Sequence, residues 1–465
     1  MQYLSTRGEA PELGFEDVLL AGLASDGGLY VPATWPRISP AQIASFATRP
    51  FADVAVDIIS PFINNSVCAE TLREMTKDAY ASFGHPATTP VVQIDDNRFI
   101  LELFHGPTLA FKDVAMQILA RMMDDVLRRR GLRATIVGAT SGDTGGAAIE
   151  AFRGRSRVDV FILYPAGRVS AIQRRMMTTP TDENIHALEI AGTFDDCQAL
   201  VKSMFANQSF RNKVQLSGVN SINWARIVPQ ITYYFFAAAR LGAPYRPVSF
   251  SVPTGNFGNL FAGYAAQQMG LGIDRLVVAS NSNDILPRAI ETGAYEKREV
   301  IATTSPSMDI QVSSNFERFL FEVQGRDGAL IRRQMASLKQ SGRFDTVVEA
   351  QQMRQKLSCH AASEDDVAAC IRRIKSHTGY VLEPHTACGV LAAEQTLATN
   401  AAAEIVLATA HPAKFGEAMT QIIGTDVPLP DRLRDLLTEP ERSTPLENNS
   451  SAVEKFIARR TRALA

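Results

Sequence analysis

Apolar runs punctuate the chain at 134–138, 158–164, 185–191, 247–252, 275–280 and 404–409, and helical patterns lie between them. Buried strands alternating with amphipathic helices predict βαβ units, parallel sheet and an α/β fold. The clearest helix follows Pro107 and Thr108. Phe111, Val114, Ala115, Ile118, Leu119, Met122, Met123 and Val126 recur at three- and four-residue steps and share one apolar face. Thr108 is the expected N-cap. Before residue 90, proline, aromatic residues and short helical patterns predict a small leading domain, 1–90. Two α/β domains are expected to follow, 91–225 and 226–465. In the second, 318–338 and 344–357 are charged helical patterns without a clear core strand, so about 283–380 reads as a helical insertion. Residues 431–451, rich in Pro, Glu and Asn, read as a surface connection before a last basic helix.

Composition narrows the class further. The 465 residues are 46% apolar, enough to bury a large core in two or three domains. With 47 basic and 49 acidic side chains, nothing favours nucleic acid or an anionic membrane as partner. The apolar run 231–239 ends at Arg240, too short to span a bilayer, and the first residues carry Arg7 and Glu9 with no signal-peptide core. Cys68, Cys197, Cys359, Cys370 and Cys388 form no CxxC pair. They read as reduced thiols of a cytoplasmic protein, with no metal site.

Three segments carry candidate chemistry. Lys112 falls in the first turn of the amphipathic helix, beside its apolar face and near the positive end of the helix dipole. Desolvation and the dipole both disfavour an ammonium there, which suits a Schiff base with a carbonyl cofactor. Gly138 to Ala148 (GATSGDTGGAA) joins the strand 134–137 to a helix and offers N–H groups and hydroxyls to an anion. Pro253 to Asn259 (PTGNFGN) repeats that logic after the strand 247–252. Gly255 and Gly258 would let the backbone approach a ligand and would refuse valine, for want of room and for any positive φ. Neither loop has GxGxxG or GxxxxGK[ST] spacing, and each also fits a plain tight strand-to-helix turn. One lysine and two anion loops match pyridoxal 5'-phosphate with an amino-acid substrate.

The runs HGPTLAFKD (105–113), GATSGDTGGAA, VPTGNFGN (252–259) and ATAHPAKFGEA (408–418) together resemble threonine synthase of the longer bacterial and fungal type. The resemblance extends over STRG (5–8), GLASDGGLYVP (22–32), NSINWAR (220–226), SSNFER (313–318) and EPHTA (383–387). It implies a fold-type II pyridoxal-phosphate enzyme, built like the tryptophan synthase β chain. The implied reaction turns O-phospho-L-homoserine and water into L-threonine and phosphate.

The resemblance also implies residue roles. Lys112 holds the cofactor and then moves the Cα proton. Gly255, Asn256, Phe257, Gly258 and Asn259 bind its phosphate, and Thr409 faces its pyridine nitrogen. Asp143 stands where many relatives of this fold carry Asn. It would meet the cofactor's phenolic oxygen or the substrate, and as an anion it needs a cation nearby. Thr140, Ser141 and Thr144 are candidates for the substrate carboxylate. Arg226, Arg318 and Lys414 are candidates for the substrate phosphate, or else members of structural ion pairs. His105 and His385 read as packed, hydrogen-bonded side chains. The alternatives are a threonine-synthase-like phospholyase, a serine/threonine dehydratase, or a non-enzymatic pyridoxal-phosphate-binding regulator. A monomer or homodimer is expected.

Overall fold

A computed structural model describes residues 1–396 and 402–464. All six strands expected from the apolar runs form, with ends shifted by a residue or two. They divide between two sheets. One sheet runs Leu357–Ala361, Ile273–Ser280, Val248–Pro253, Ala403–Ala408, Arg98–Glu102, Val91–Gln93. Its strands are parallel except the last, which is antiparallel. The other runs Thr444–Glu447, Ile185–Ala191, Val158–Pro165, Ala134–Ala139, Leu216–Ser217, and is parallel throughout. Central strands such as Val158–Pro165 and Val248–Pro253 are buried at every residue, which is why they read as mainly apolar runs, broken only by the buried Asp159, Ser249 and Ser251.

Two expectations need correcting. The region about 283–380 is not purely helical, because Leu357–Ala361 pairs in parallel with Ile273–Ser280. The stretch 431–451 is not only a connection, because Thr444–Glu447 joins Ile185–Ala191 before the helix Ser450–Arg460. Both are edge strands. An edge strand has one sheet neighbour and tolerates polar residues or proline, so neither LSCHA nor TPLE announces itself as a strand. Sheet membership therefore cuts across sequence order: 91–102 lies with 248–253, and 444–447 lies with 185–191.

The helix Trp224–Arg240 joins these layers. It is buried from Trp224 to Ala239 and packs against the helices Phe51–Ile63, Lys112–Arg129 and Gly258–Gln268. The leading segment shares its core, since the rings of Tyr3 and Phe62 lie 6.0 and 5.8 Å from that of Trp224. The helix Lys112–Arg129 buries Ile118, Leu119, Met122 and Val126 completely. Each such side chain contributes about 1.5–3 kcal/mol of burial free energy, so the lysine at the head of this helix stands on a rigid element. Thr108 does not cap it. Its N–H and hydroxyl both donate to Asp113 in the first turn, at 2.8 and 2.6 Å. No helix among the described residues is long and apolar enough to cross a membrane.

Candidate active site

The chain before Lys112 runs beside the segment that leaves the strand Ala403–Ala408. Leu103 N–H donates to Ala408 O at 3.0 Å, Phe111 N–H to Thr409 O at 2.9 Å, and His411 N–H to Leu109 O at 3.0 Å. This crossing sets the buried Thr409 next to the lysine turn and leads directly into the 412–415 turn that carries Lys414.

Asp143 opens the helix Asp143–Phe152 and is buried. Lys112 Nζ lies 3.2 Å from its Oδ2, and Lys414 Nζ lies 2.5 Å from its Oδ1. Gln173 Nε2 donates to Oδ1 at 2.9 Å. Lys414 also donates to Thr108 O at 2.8 Å, so this second ammonium is committed to Asp143 and the lysine loop. Burial opposes charge on Asp143, yet Lys112, Lys414 and the bond from Gln173 hold it well below the usual carboxylate range. Burial pushes the Lys112 amine down and Asp143 opposes this, while Lys414 and Arg226 add to the lowering. The cation expected beside Asp143 is thus present twice. Thr140 Oγ1 accepts from Gly142 and Gly145 N–H, both at 3.0 Å, and shapes the loop, with Ser141 exposed and Thr144 half-buried beside it.

The second loop is closed by a segment far along the chain. Ser313 Oγ donates to Gly255 O at 2.6 Å, and Asn315 N–H donates to Asn256 O at 3.1 Å. A Cβ on Gly255 would meet Met308 Cα and Ser307 O at 3.1 Å, so glycine lets this segment approach the loop without displacing it. The positive φ expected of the glycines belongs instead to Phe257, at 61°. A non-glycine residue in that region is strained, and such strain gathers at ligand loops.

Arg226, whose pKa burial pushes down to about 10, donates from Nη1 to Val219 O at 3.0 Å. Arg226 Nε, Asn259 Nδ2 and Asn315 Nδ2 are buried and have no partner among the described residues. Unpartnered donors around a helix N-terminus fit a phosphate. Together with the Lys112 amine, on which the Arg226 charge acts, the residues present suit pyridoxal phosphate. Arg318 has a different task from the one expected. It is completely buried and donates to Tyr30 O at 3.0 Å, Ile222 O at 2.5 Å and Asn315 Oδ1, so it is enclosed by protein. His105 binds Glu102 at 2.7 Å. His385 binds Glu383 at 2.6 Å and accepts from Ser307 N–H at 3.3 Å, as packed histidines do. Gln173 and Asn315 escaped the sequence reading. Gln173 lies in no recognisable motif, and Asn315 sits in the SSNF run with nothing local to mark its role.

A largely enclosed lysine at a helix head, paired with a carboxylate on a strand-end loop in a fold of parallel sheets, defines a fold-type II pyridoxal-phosphate enzyme. Comparison with known proteins agrees along the chain. Family models described as threonine synthase N terminus, pyridoxal-phosphate dependent enzyme, and threonine synthase C-terminal match residues 2–80, 84–409 and 386–457. Threonine synthase of Pseudomonas aeruginosa is 48% identical over 462 residues, covering 98% of each chain. The pyridoxal-phosphate-bound threonine synthase structure from Brucella melitensis aligns over 100% of both chains, with 55% identity and a TM-score of 0.98. The yeast threonine synthase structure aligns over 99% of this chain and 98% of its own, with 37% identity and a TM-score of 0.94. The chain belongs to the threonine synthase family of pyridoxal-phosphate-dependent lyases.

Proposed function

We propose that this chain converts O-phospho-L-homoserine and water to L-threonine and phosphate, the last step of threonine biosynthesis, at the site headed by Lys112. The observation that carries the assignment is the Lys112 ammonium, largely enclosed at its helix head and paired with Asp143 of the first loop. When bound, the cofactor supplies the conjugation that takes up the electron pair left at Cα. The free Lys112 amine, its neutral form favoured by burial, Lys414 and Arg226, takes the Cα proton. Thr140, Ser141 and Thr144 hold the substrate carboxylate and so orient the Cα–H bond. Gly255 to Asn259 hold the cofactor phosphate, and Thr409 offers a hydroxyl to the ring nitrogen. Asp143 faces the phenolic oxygen or the substrate, with Lys414 as its fixed counter-ion. Arg226, with a donor to spare, holds the γ-phosphate that leaves after a Cβ proton is removed. A proton is then delivered to Cγ, water adds its hydroxyl at Cβ, and a proton returns to Cα, which completes threonine.

The same reading includes a cytoplasmic monomer or homodimer that binds no nucleic acid, supported by the near-zero net charge. Residues 1–90 form its leading unit, ahead of two α/β units at 91–225 and 226–465 that exchange strands as described. One preparation tests the function. Borohydride reduction and peptide mapping should place the pyridoxyl group on Lys112. O-phosphohomoserine should give threonine and phosphate in equal amounts, with solvent oxygen at Cβ. A label on another lysine would refute the site, and 2-oxobutyrate with ammonia as main products would replace synthase by lyase.

A further inference from the structure

The side chain of Asn315 is fully buried, and its two ends have opposite fates. Its oxygen accepts a hydrogen bond from Arg318 Nη1. A guanidinium only donates, so this contact settles which end of the amide is the oxygen. The NH2 end is turned away from Arg318 and has no partner among the described residues. An atom at the Cβ position of Gly258 would lie 3.3 Å from that nitrogen. Gly258 is the first residue of the helix Gly258–Gln268, where N–H groups without intrahelical acceptors mark the positive end of the dipole. An unpartnered buried donor and a helix N-terminus therefore face the same space.

The side chain is also held still. Arg318 is anchored by the carbonyls of Tyr30 and Ile222, and Asn315 N–H is anchored on Asn256 O. Asn259 Nδ2, in the first turn of the same helix, likewise lacks an acceptor among the described residues, so both unpartnered atoms are donors. A buried donor with no acceptor is costly, and two of them at a helix N-terminus call for a ligand rich in acceptors and poor in donors. A phosphate monoester meets that description.

We propose that Asn315 donates to the phosphate of the cofactor at the amino end of the helix Gly258–Gln268, and that Arg318 is the positioning residue that aims it. The proposal rests on the cofactor site assigned above. Pyridoxal, which lacks the phosphate, separates a phosphate contact from a general effect on the pocket.

The test titrates the full-length protein, stripped of cofactor, with pyridoxal phosphate and with pyridoxal. Asn315→Ala should weaken pyridoxal phosphate about 10- to 100-fold, the worth of one charge-assisted hydrogen bond, and leave pyridoxal unchanged. Asn315→Asp keeps the shape and the Arg318 contact but removes the donor, so it should lose at least as much. Arg318→Lys, which keeps the charge but not the fork, should lose the same selectivity. Inorganic phosphate should raise the Tm of stripped wild type, a readout that needs no variant to fold. Equal weakening of both aldehydes, weakening of neither, or no phosphate effect on Tm would overturn the proposal. So would a raised KM for O-phosphohomoserine at unchanged cofactor affinity, which would assign Asn315 to the substrate's phosphate. Wild type that fails to bind pyridoxal phosphate at Lys112 would instead refute the site assignment.

Discussion

At the scale of single residues, the site is organised by Asp143, one carboxylate shared by two ammonium groups, Lys414 fully enclosed and Lys112 open on one side. The two lysines are not equivalent. Lys112 stands at a helix head on one contact to Asp143, whereas Lys414 is tied to both Asp143 and Thr108 O. Lys414 can therefore keep Asp143 ionised while Lys112 changes charge. The sign of its effect on Lys112 follows, because a nearby cation disfavours a second ammonium and the Lys414 charge lowers the Lys112 pKa. Lys414→Met should raise that pKa, reduce kcat at neutral pH, and move the acidic limb of the kcat–pH profile to higher pH. A profile that loses height without moving would mean that Lys414 is structural only. Lys112, Asp143 and Lys414 were all legible from motifs as separate candidates. Their meeting at one point was not, because it depends on a crossing between residues 103–111 and 408–411 that no local pattern encodes.

At the scale of elements, the second loop shows why glycine and hydroxyl spacing is readable while its support is not. Strand, small-residue loop and helix N-terminus follow one another in sequence, so Pro253 to Asn259 declares itself. The lid over it comes from 305–316, through Ser307, Met308, Ser313 and Asn315, a stretch without periodic patterning whose SSNF run does not by itself say what it faces. A substitution at Gly255 probes that contact. Gly255→Val places Cβ and its methyl groups against the backbone of Ser307 and Met308, where a Cβ at 3.1 Å is tight enough to push the neighbours aside. Overpacking of this kind costs about 1–3 kcal/mol. Because the strain falls on the ligand loop, cofactor affinity should drop about 10-fold or more while the Tm of the stripped protein changes little. Cofactor affinity equal to wild type would show that the loop yields and that the phosphate does not depend on its position.

At the scale of the whole molecule, the chain's end completes a sheet begun near its first third. Val453 and Ile457 on the helix Ser450–Arg460 are fully buried in a core shared with Phe161, Leu163 and Leu188. Ile457→Ala should cost about 2–5 kcal/mol of stability and lower Tm, with kcat at low temperature preserved, because this face of the sheet lies away from the lysine helix. A fall in kcat without a fall in Tm would place the terminal helix in the catalytic unit instead. The sequence by itself determined the α/β class, the six central strands, the lysine helix and both small-residue strand-to-helix loops. Periodicity and small-residue loops are local signals, and central parallel strands must be apolar on both faces. Tertiary structure alone decided that Leu357–Ala361 and Thr444–Glu447 are strands, since an edge strand takes its identity from a neighbour and not from its own residues. It also decided that Arg318 serves Asn315, that Gln173 reaches Asp143, and that Lys414 meets Lys112 across one carboxylate. Charged and amide side chains take their roles from whatever faces them, and in this chain those partners lie far apart in sequence.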